Sequence, residues 1–343
     1  MNKLITLVAT ALLIIGAGTA KAQDNVNIGK SNIKLNSRMM TPEALWAMGR
    51  IGGVAASPNG SQVVYQVGYY SVKQNKGHQV ICIMNADGSQ QRQLTTSSKS
   101  ETDPVWLNAE TIAFNCGGEI WTMKADGSDR QQLTKTGGKV EGFKFSPDGT
   151  KVILIQSIPF HEIIKKNPDD LPLATGRRVT DLMYRHWDHY VESIQHPFLA
   201  EVTAEGVGQG IDILEGEPFE CPMEPFGGIE QLAWSPDSKT IAYTCRKKIG
   251  MEYATSTDSD IFLYNIGTRE TRNLCKPADW KQPETDMTHT RTDQAVNADP
   301  NANTGYDQNP MFSPDGKYIA WQSMPRDGYE LSLIHISEPT RHQ

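Results

Sequence analysis

Ser146-Pro-Asp-Gly149, followed by the apolar run Val152-Ile-Leu154, reads as a tight turn feeding a strand. Proline presets φ at the turn, and Asp before Gly supplies the sharp conformation that joins two strands. The unit recurs as Ser57-Pro-Asn-Gly60 before Val63-Val-Tyr65 and as Ser235-Pro-Asp-Ser238 before Ile241-Ala-Tyr243. A fourth copy is Ser313-Pro-Asp-Gly316 before Tyr318-Ile-Ala-Trp321. Each copy follows an apolar or aromatic position, so the pattern is strand, turn, strand, repeated.

A second turn falls between these units. Ile81-Cys-Ile-Met-Asn-Ala-Asp-Gly88 leads to Gln93-Leu-Thr95, and Glu119-Ile-Trp-Thr-Met-Lys-Ala-Asp-Gly127 leads to Gln132-Leu-Thr134. Phe262-Leu-Tyr-Asn-Ile-Gly267 before Asn273-Leu274 is a looser third copy. Pro104-Val-Trp-Leu-Asn108, then Thr111-Ile-Ala-Phe114, keeps the strands but has lost the Ser-Pro-Asp-Gly turn. Four short strands in about 40 residues is the size of a propeller blade, and one such sheet cannot bury its apolar face alone. The expected fold is all-β: a β-propeller with four-stranded antiparallel blades, incomplete at the C-terminus. Blade-like units fall near 50–95, 102–134, 141–215, 229–275 and from 307 onward. An open solenoid is less favoured, because each unit supplies a small antiparallel sheet rather than one strand per coil. Trp106, Trp121, Trp234 and Trp321 recur near strand positions and are expected in the blade cores.

Residues 1–22 read as a signal peptide: Lys3, an apolar run Leu4 to Ile15, and Ala20-Lys21-Ala22 before Gln23. The protein is therefore expected to be periplasmic or secreted, with a lead-in segment at 23–49. The composition, 33 basic against 40 acidic residues for a net charge of -7, gives no basic footprint for nucleic acid. The cysteines Cys82, Cys116, Cys221, Cys245 and Cys275 are widely spaced, without a C-x-x-C pair. An exported address permits disulfides, and Cys221 with Cys245 is one pairing that the sequence alone does not select. Cys116 reads as a small buried strand residue.

The period breaks near 158–200 and 286–309, which are expected insertions. In the first, Leu182, Met183, Tyr184 and Trp187 share one side of a helical projection, so a short helix is expected. The second is polar, a long loop, and solvent-facing chain is at least as good an account of it as binding. His186, Asp188 and His189 lack a further partner at metal-ligand spacing, and the turn aspartates Asp87, Asp126, Asp148 and Asp315 lack the close oxygen ligands of a calcium loop. No G-x-S-x-G elbow occurs, so His161, His186, His196 and His289 are not assigned as a catalytic base. No catalytic residue, metal ligand or cofactor is assigned.

The W-S-P-D-G and M-x-A-D-G-x-x-x-x-Q-L-T units resemble both the TolB-type propeller and the N-terminal propeller of the prolyl oligopeptidase (S9) serine peptidases. Met39-Met-Thr-Pro-Glu-Ala-Leu-Trp-Ala-Met-Gly-Arg50 with Ile51-Gly-Gly-Val-Ala-Ala-Ser-Pro58 resembles the start of bacterial S9 dipeptidyl peptidases. Tyr184-Arg-His-Trp-Asp188 and Trp321-Gln-Ser-Met-Pro-Arg-Asp-Gly-Tyr-Glu330 are similar to the dipeptidyl peptidase 5-type subgroup. The resemblance covers about Thr41 to Glu330, with 50–330 as a partial propeller. It implies a parent serine exopeptidase that releases dipeptides from oligopeptide N-termini, with the propeller gating an internal cavity. Its Ser, Asp and His would lie on a C-terminal α/β-hydrolase domain that these residues do not include. This chain by itself is expected to be inactive, and a homodimer of the full-length form is left open. Glu192 and Glu201 are the carboxylates considered for gripping a substrate N-terminus, though surface solvation is the favoured role of each.

After Glu330 the pattern stops. Ser332-Leu-Ile-His-Ile-Ser-Glu-Pro-Thr-Arg-His342 resembles the conceptual translation of sequencing-adapter DNA, so 331–343 is expected to be a non-native tail. The competing functions are a non-enzymatic TolB-like binding propeller and an exported lectin-like or scaffold propeller.

Overall fold

The computed structural model describes residues 28–34, 38–160, 164–166, 171, 173–179, 182–280, 304–324 and 327. The expected signal peptide, the 331–343 tail, His161, His289 and most of the 286–309 insertion lie outside them. The described residues are dominated by antiparallel strands, preceded by a short helix, Pro42–Ala47, whose first turn Thr41 caps through its hydroxyl.

Three sheets are four-stranded and run in simple up-and-down order. The first holds β1 (Arg50–Ala56), β2 (Gln62–Ser71), β3 (Lys76–Asn85) and β4 (Arg92–Gln93). The second holds β5 (Glu101–Trp106), β6 (Thr111–Cys116), β7 (Ile120–Lys124) and β8 (Gln131–Gln132). The third sheet pairs β9 (Gly142–Phe145) with β10 (Lys151–Pro159). Two small ladders follow: β11 (Ile164–Lys166) with β12 (Arg177–Val179), and β13 (Arg185–His186) with β14 (His189–Tyr190). The chain then returns as β15 (Ser193–Thr203) beside β10, and β16 (Gly206–Val207) and β17 (Ile211–Asp212) both pair with β15. A fourth sheet is β18 (Leu232–Trp234), β19 (Thr240–Cys245), β20 (Asp260–Asn265) and β21 (Thr271–Asn273). The last pair is β22 (Tyr306–Phe312) with β23 (Ile319–Met324).

Two sequence expectations change here. The β10–β15 ladder runs unbroken from Lys151 opposite Glu201 to Pro159 opposite Ser193, so the departure from it spans 160–192 rather than 158–200. The helix expected around 182–187 is instead the β13–β14 hairpin. Four apolar residues on one side of a helical projection fit a two-residue-turn hairpin as well, and the tertiary partners decide.

The Ser-Pro-Asp-Gly units are built alike. In each, the serine hydroxyl donates to the Asn or Asp carboxyl-type oxygen two residues on: Ser57 to Asn59 at 2.7 Å, Ser146 to Asp148 at 2.6 Å, Ser235 to Asp237 at 2.7 Å and Ser313 to Asp315 at 2.6 Å. The fourth residue donates its backbone N–H to the serine carbonyl and adopts positive φ: +69° at Gly60, +72° at Gly149, +59° at Ser238 and +70° at Gly316. Ser238 takes this left-handed conformation with a side chain, which costs energy that glycine avoids. Its hydroxyl accepts the Asp148 N–H at 3.1 Å, fastening one turn to that of the preceding sheet.

Strand side chains alternate between faces, and here each face finds a different neighbouring sheet. Ile112 and Phe114 of β6 pack with Val64, Ile81 and Ile83 of the first sheet. Ala113, between them, packs with Phe143, Val152 and Leu154 of the third. Ile153 and Ile155, on the opposite face of β10, meet Leu232, Trp234, Ile241 and Tyr243 of the fourth. Indole N–H groups reinforce the stacking. Trp106 donates to the Ala55 carbonyl at 3.1 Å and Trp234 to the Lys144 carbonyl at 3.0 Å, each from the first strand of one sheet to that of the sheet before. At the two ends of the stack apolar side chains face solvent: Ile51 and Val54 on β1, and Met311 and Tyr318 on the last pair.

One ion pair is built into this packing. Glu101 is fully buried and pairs with Arg130, whose guanidinium lies 4.9 Å above the Phe114 ring and 4.8 Å above that of Trp121. Removing one partner of a buried pair strands the other charge, at a cost of about 3 kcal/mol or more, whereas an apolar replacement of both costs less. Arg130→Ala, which leaves the fully buried Glu101 carboxylate without its cation, is thus expected to lower the free energy of unfolding in urea by that much, and Glu101→Leu with Arg130→Met by less. A single-variant loss under about 1 kcal/mol would contradict the assignment.

The turn carboxylates give a second check. The hydrogen bond from Ser146, then that from the Thr150 N–H, hold the Asp148 carboxyl at about 2, below its ordinary 3.8. A lowered folded value stabilises above the unfolded pKa and is lost as pH falls toward the folded one. Asn59 already fills this place in the first turn, so Asp148→Asn is expected to keep the turn and to flatten the acid dependence of stability between about pH 4 and 2. An unchanged slope in acid titrations followed by circular dichroism would count against it.

Candidate functional site

The β13–β14 hairpin gathers polar and aromatic side chains away from the sheet interfaces. Its two-residue turn is Trp187-Asp188, and the positive φ that such a turn needs, +24°, falls on Trp187. A tryptophan is a poor residue for that conformation, and this one is 72% exposed. Arg185 braces the turn by donating from Nε to the Trp187 carbonyl at 2.9 Å.

Three contacts fasten the hairpin to the loop that precedes β18. His186 Nε2 lies 3.0 Å from Glu220 Oε2, both groups buried. His189 Nε2 lies 3.1 Å from Glu224 Oε2, nearer the surface. The rings of Trp187 and Phe226 meet edge to face with centroids 4.8 Å apart, and both remain exposed. Glu220 is shared, since the Tyr253 hydroxyl donates to its other oxygen at 3.4 Å. Burial, then the Glu220 charge, pushes the Tyr253 phenol far up, while the Arg246 guanidinium 4.3 Å above the ring opposes the shift. Tyr253 sits on the short helix Gly250–Thr255 that interrupts the β19–β20 connection.

The sequence candidates can now be placed. Glu192, just before β15, pairs with Arg177, which also stacks 4.7 Å from the Tyr190 ring. Glu201 lies at the other end of β15, 4.0 Å from Lys151. At about 3.4 Å per residue the two are on the order of 30 Å apart and cannot grip one amine together. His186 and His189 turn to Glu220 and Glu224, with Asp188 Oδ1 3.0 Å from His189 Nδ1, so this trio makes separate hydrogen bonds to carboxylates rather than a converging ligand set. His196 is fully buried, with Nδ1 2.8 Å from Asp212. Its Nε2 has no hydrogen-bond partner among the described residues, so no serine is poised against it. The sequence reading missed Glu220, Glu224, Phe226, Arg246 and Tyr253. The two prolines that follow glutamates in Glu220-Cys-Pro-Met-Glu-Pro-Phe226 were the signal available for three of them.

A separate group, Asp260, Cys275 and Asp307, brings three potential metal-ligand atoms within 4.8 Å of one another. Lys276 already supplies a cation there, donating to Asp258 at 2.9 Å and to Asp260 at 2.5 Å, and Trp321 donates to Asp307 at 3.1 Å. The group ties the β20 and β21 ends to β22. The hairpin cluster is different in kind. It offers carboxylates, guanidinium groups and exposed rings side by side, which suits recognition of a polar, amphipathic ligand more than bond breaking.

No family model matches the chain. Dipeptidyl-peptidase 5 of Porphyromonas gingivalis is 41% identical over 341 residues, 98% of this chain and 45% of the relative. Dipeptidyl-peptidase 5 of Porphyromonas endodontalis is 37% identical over 338 residues, 97% of this chain and 44% of the relative. The chain therefore spans under half the length of these relatives. Among solved structures, an acylaminoacyl peptidase of Pyrococcus horikoshii matches with a TM-score of 0.52 at 12% identity, over 83% of this chain and 37% of that one. That likeness concerns the fold alone.

The hairpin cluster makes a prediction about His189. Its hydrogen bond to Asp188 is the largest cause of a pKa above the ordinary 6.5; burial opposes it, and the charges of Glu224 and Asp188 add to the rise. A raised folded value stabilises below the unfolded pKa and fades as pH rises through the folded one. In NMR titrations His189 is expected to titrate above 6.5, and Glu224→Gln to lower it without abolishing the shift. An unchanged His189 titration in Glu224→Gln would show that the hairpin and loop do not meet as described.

Proposed function

We propose, from the premise that this chain is a homologue of the bacterial dipeptidyl-peptidase 5 proteins, that it is the β-propeller portion of an exported S9-type serine exopeptidase. The observation that carries this reading is identity of 41% sustained over 98% of the chain. In the parent protein, dipeptides are released from the N-termini of oligopeptides by acyl transfer to a serine, with an oxyanion hole stabilising the tetrahedral intermediate. The serine and its His and Asp partners belong to an α/β-hydrolase domain in the further length that the relatives have. The chain itself carries no G-x-S-x-G elbow.

In this reading the sheets are blades arranged radially, a geometry that buries both faces of each and leaves short edges. The exposed Ile51 and Val54 at one end, and Met311 and Tyr318 at the other, are faces that further chain of the parent covers. The propeller restricts access to the reaction chamber. Its hairpin cluster, with acidic, basic and aromatic groups together, is the part suited to contact peptide. Residues 331–343 are read as foreign to the parent, and the signal-like N-terminus as the reason for its export.

The long protein expressed from the native locus is expected to release dipeptides from unblocked oligopeptides, read by mass spectrometry, and to be labelled by a fluorophosphonate. The 343-residue chain is expected to do neither. Stoichiometric labelling of the short chain would put a nucleophile inside it and overturn the proposal. A long protein without turnover or labelling would leave a binding propeller of the TolB kind.

A further inference from the structure

All five cysteines are buried and unbridged in the structure, but they are not equivalent. Cys82 lies with Val67 and Val80 on the first sheet, and Cys116 in the cluster between the first and second sheets. Cys275 follows β21, where its sulfur accepts the Ile261 N–H at 3.3 Å. Cys221 and Cys245 share one cluster, between the third and fourth sheets, and both are fully buried.

The two are brought together by fixed backbone. Cys245 ends β19, held opposite Asp260 of β20. Cys221 is held by its own N–H, which donates to the Gln195 carbonyl of β15 at 2.8 Å. The Cys245 sulfur lies 3.5 Å from the carbonyl oxygen of Glu220, the residue joined directly to Cys221. A carbonyl oxygen and the next Cα share one planar peptide unit, about 3 Å apart, so the Cys245 sulfur is within about 6.5 Å of the Cys221 Cα. The bound makes the two residues neighbours in one cluster, and closing a bridge needs their two free thiols to turn toward each other. After burial, the neighbouring Cys245 is the next cause that pushes the Cys221 thiol up.

We infer that Cys221 and Cys245 are a disulfide-forming pair, oxidised as the chain folds and tying the loop after β17 to the end of β19. The oxidant is a second disulfide, such as oxidised glutathione or an oxidised dithiol protein. One cysteine thiolate attacks it, forming a mixed disulfide and releasing a thiolate. The other then attacks the mixed disulfide, so that two cysteine thiols lose two electrons and the oxidant is reduced to two thiols, which take up the two protons. Burial fixes the timing. It pushes both thiols far above their ordinary pKa and closes them off from solvent, so the exchange occurs before the cluster between the third and fourth sheets has closed. The inference stands on cluster geometry and is independent of any enzymatic role of the parent.

The test is refolding of the 343-residue chain from denaturant in a mixture of oxidised and reduced glutathione, followed by alkylation in denaturant without reductant and peptide mapping. Three of the five cysteines are expected to be alkylated, with Cys221 and Cys245 recovered in one cross-linked peptide pair that dithiothreitol separates. In Cys221→Ser, four cysteines are expected to be alkylated and no intramolecular bridge to form. Because the readout is taken on unfolded protein, it holds even where a variant is destabilised. Five alkylated cysteines in the parent sequence, a scatter of pairings, or a specific bridge between any other two cysteines would overturn the inference.

Discussion

The structure depends on one constraint: a sheet of four short strands has two apolar faces and cannot cover either alone. In β6, Ile112 and Phe114 point to the first sheet while Ala113 points to the third, and in β10 Val152 and Leu154 alternate in the same way with Ile153 and Ile155. Every interior sheet is therefore a filling between two others, and no single unit is expected to hold its shape by itself. Hydrophobic burial supplies the drive, but it is not directional. Direction comes from the indole hydrogen bonds of Trp106 and Trp234 and from the Ser238–Asp148 contact, which set the second sheet in register with the first and the fourth with the third.

The same constraint explains where chemistry has room. Interior strands are committed on both faces, so groups free to meet a ligand are carried where chain leaves the ladder. Residues 160–192 leave between β10 and β15, and the helix Gly250–Thr255 leaves between β19 and β20. The loop at 220–226 joins the two departures through Glu220, which touches both His186 and Tyr253. The hairpin is thus an appendage of the stack rather than part of its core, and its exposed Trp187 and Phe226 contribute little to holding the sheets together.

Much of the fold was legible because its turns are local chemistry. Proline, the Asn or Asp acceptor and the left-handed fourth residue are all written within four positions, and the structure shows the same hydrogen bond in each copy. What was not legible depends on partners far away in sequence. The stretch around Leu182, Met183 and Trp187 reads equally well as helix or hairpin until Glu220, Glu224 and Phe226 are placed beside it. Glu192 and Glu201 were both weighed as carboxylates beside the insertion, and the extended strand between them sets them at opposite ends of a ladder. The choice of Cys221 with Cys245 needed the backbone of Gln195 and the end of β19, which no spacing rule encodes.

The account rests on this chain being part of a longer exopeptidase, and the most direct test is the native locus itself, resequenced across codon 330 to its stop codon. The account predicts an open frame in which the residues from Leu331 onward are replaced by hundreds of others, including a G-x-S-x-G elbow followed by the Asp and His of a triad. A stop codon shortly after the last sheet is completed, with no nucleophile domain, would contradict it and leave a repeat-built binding protein in its place.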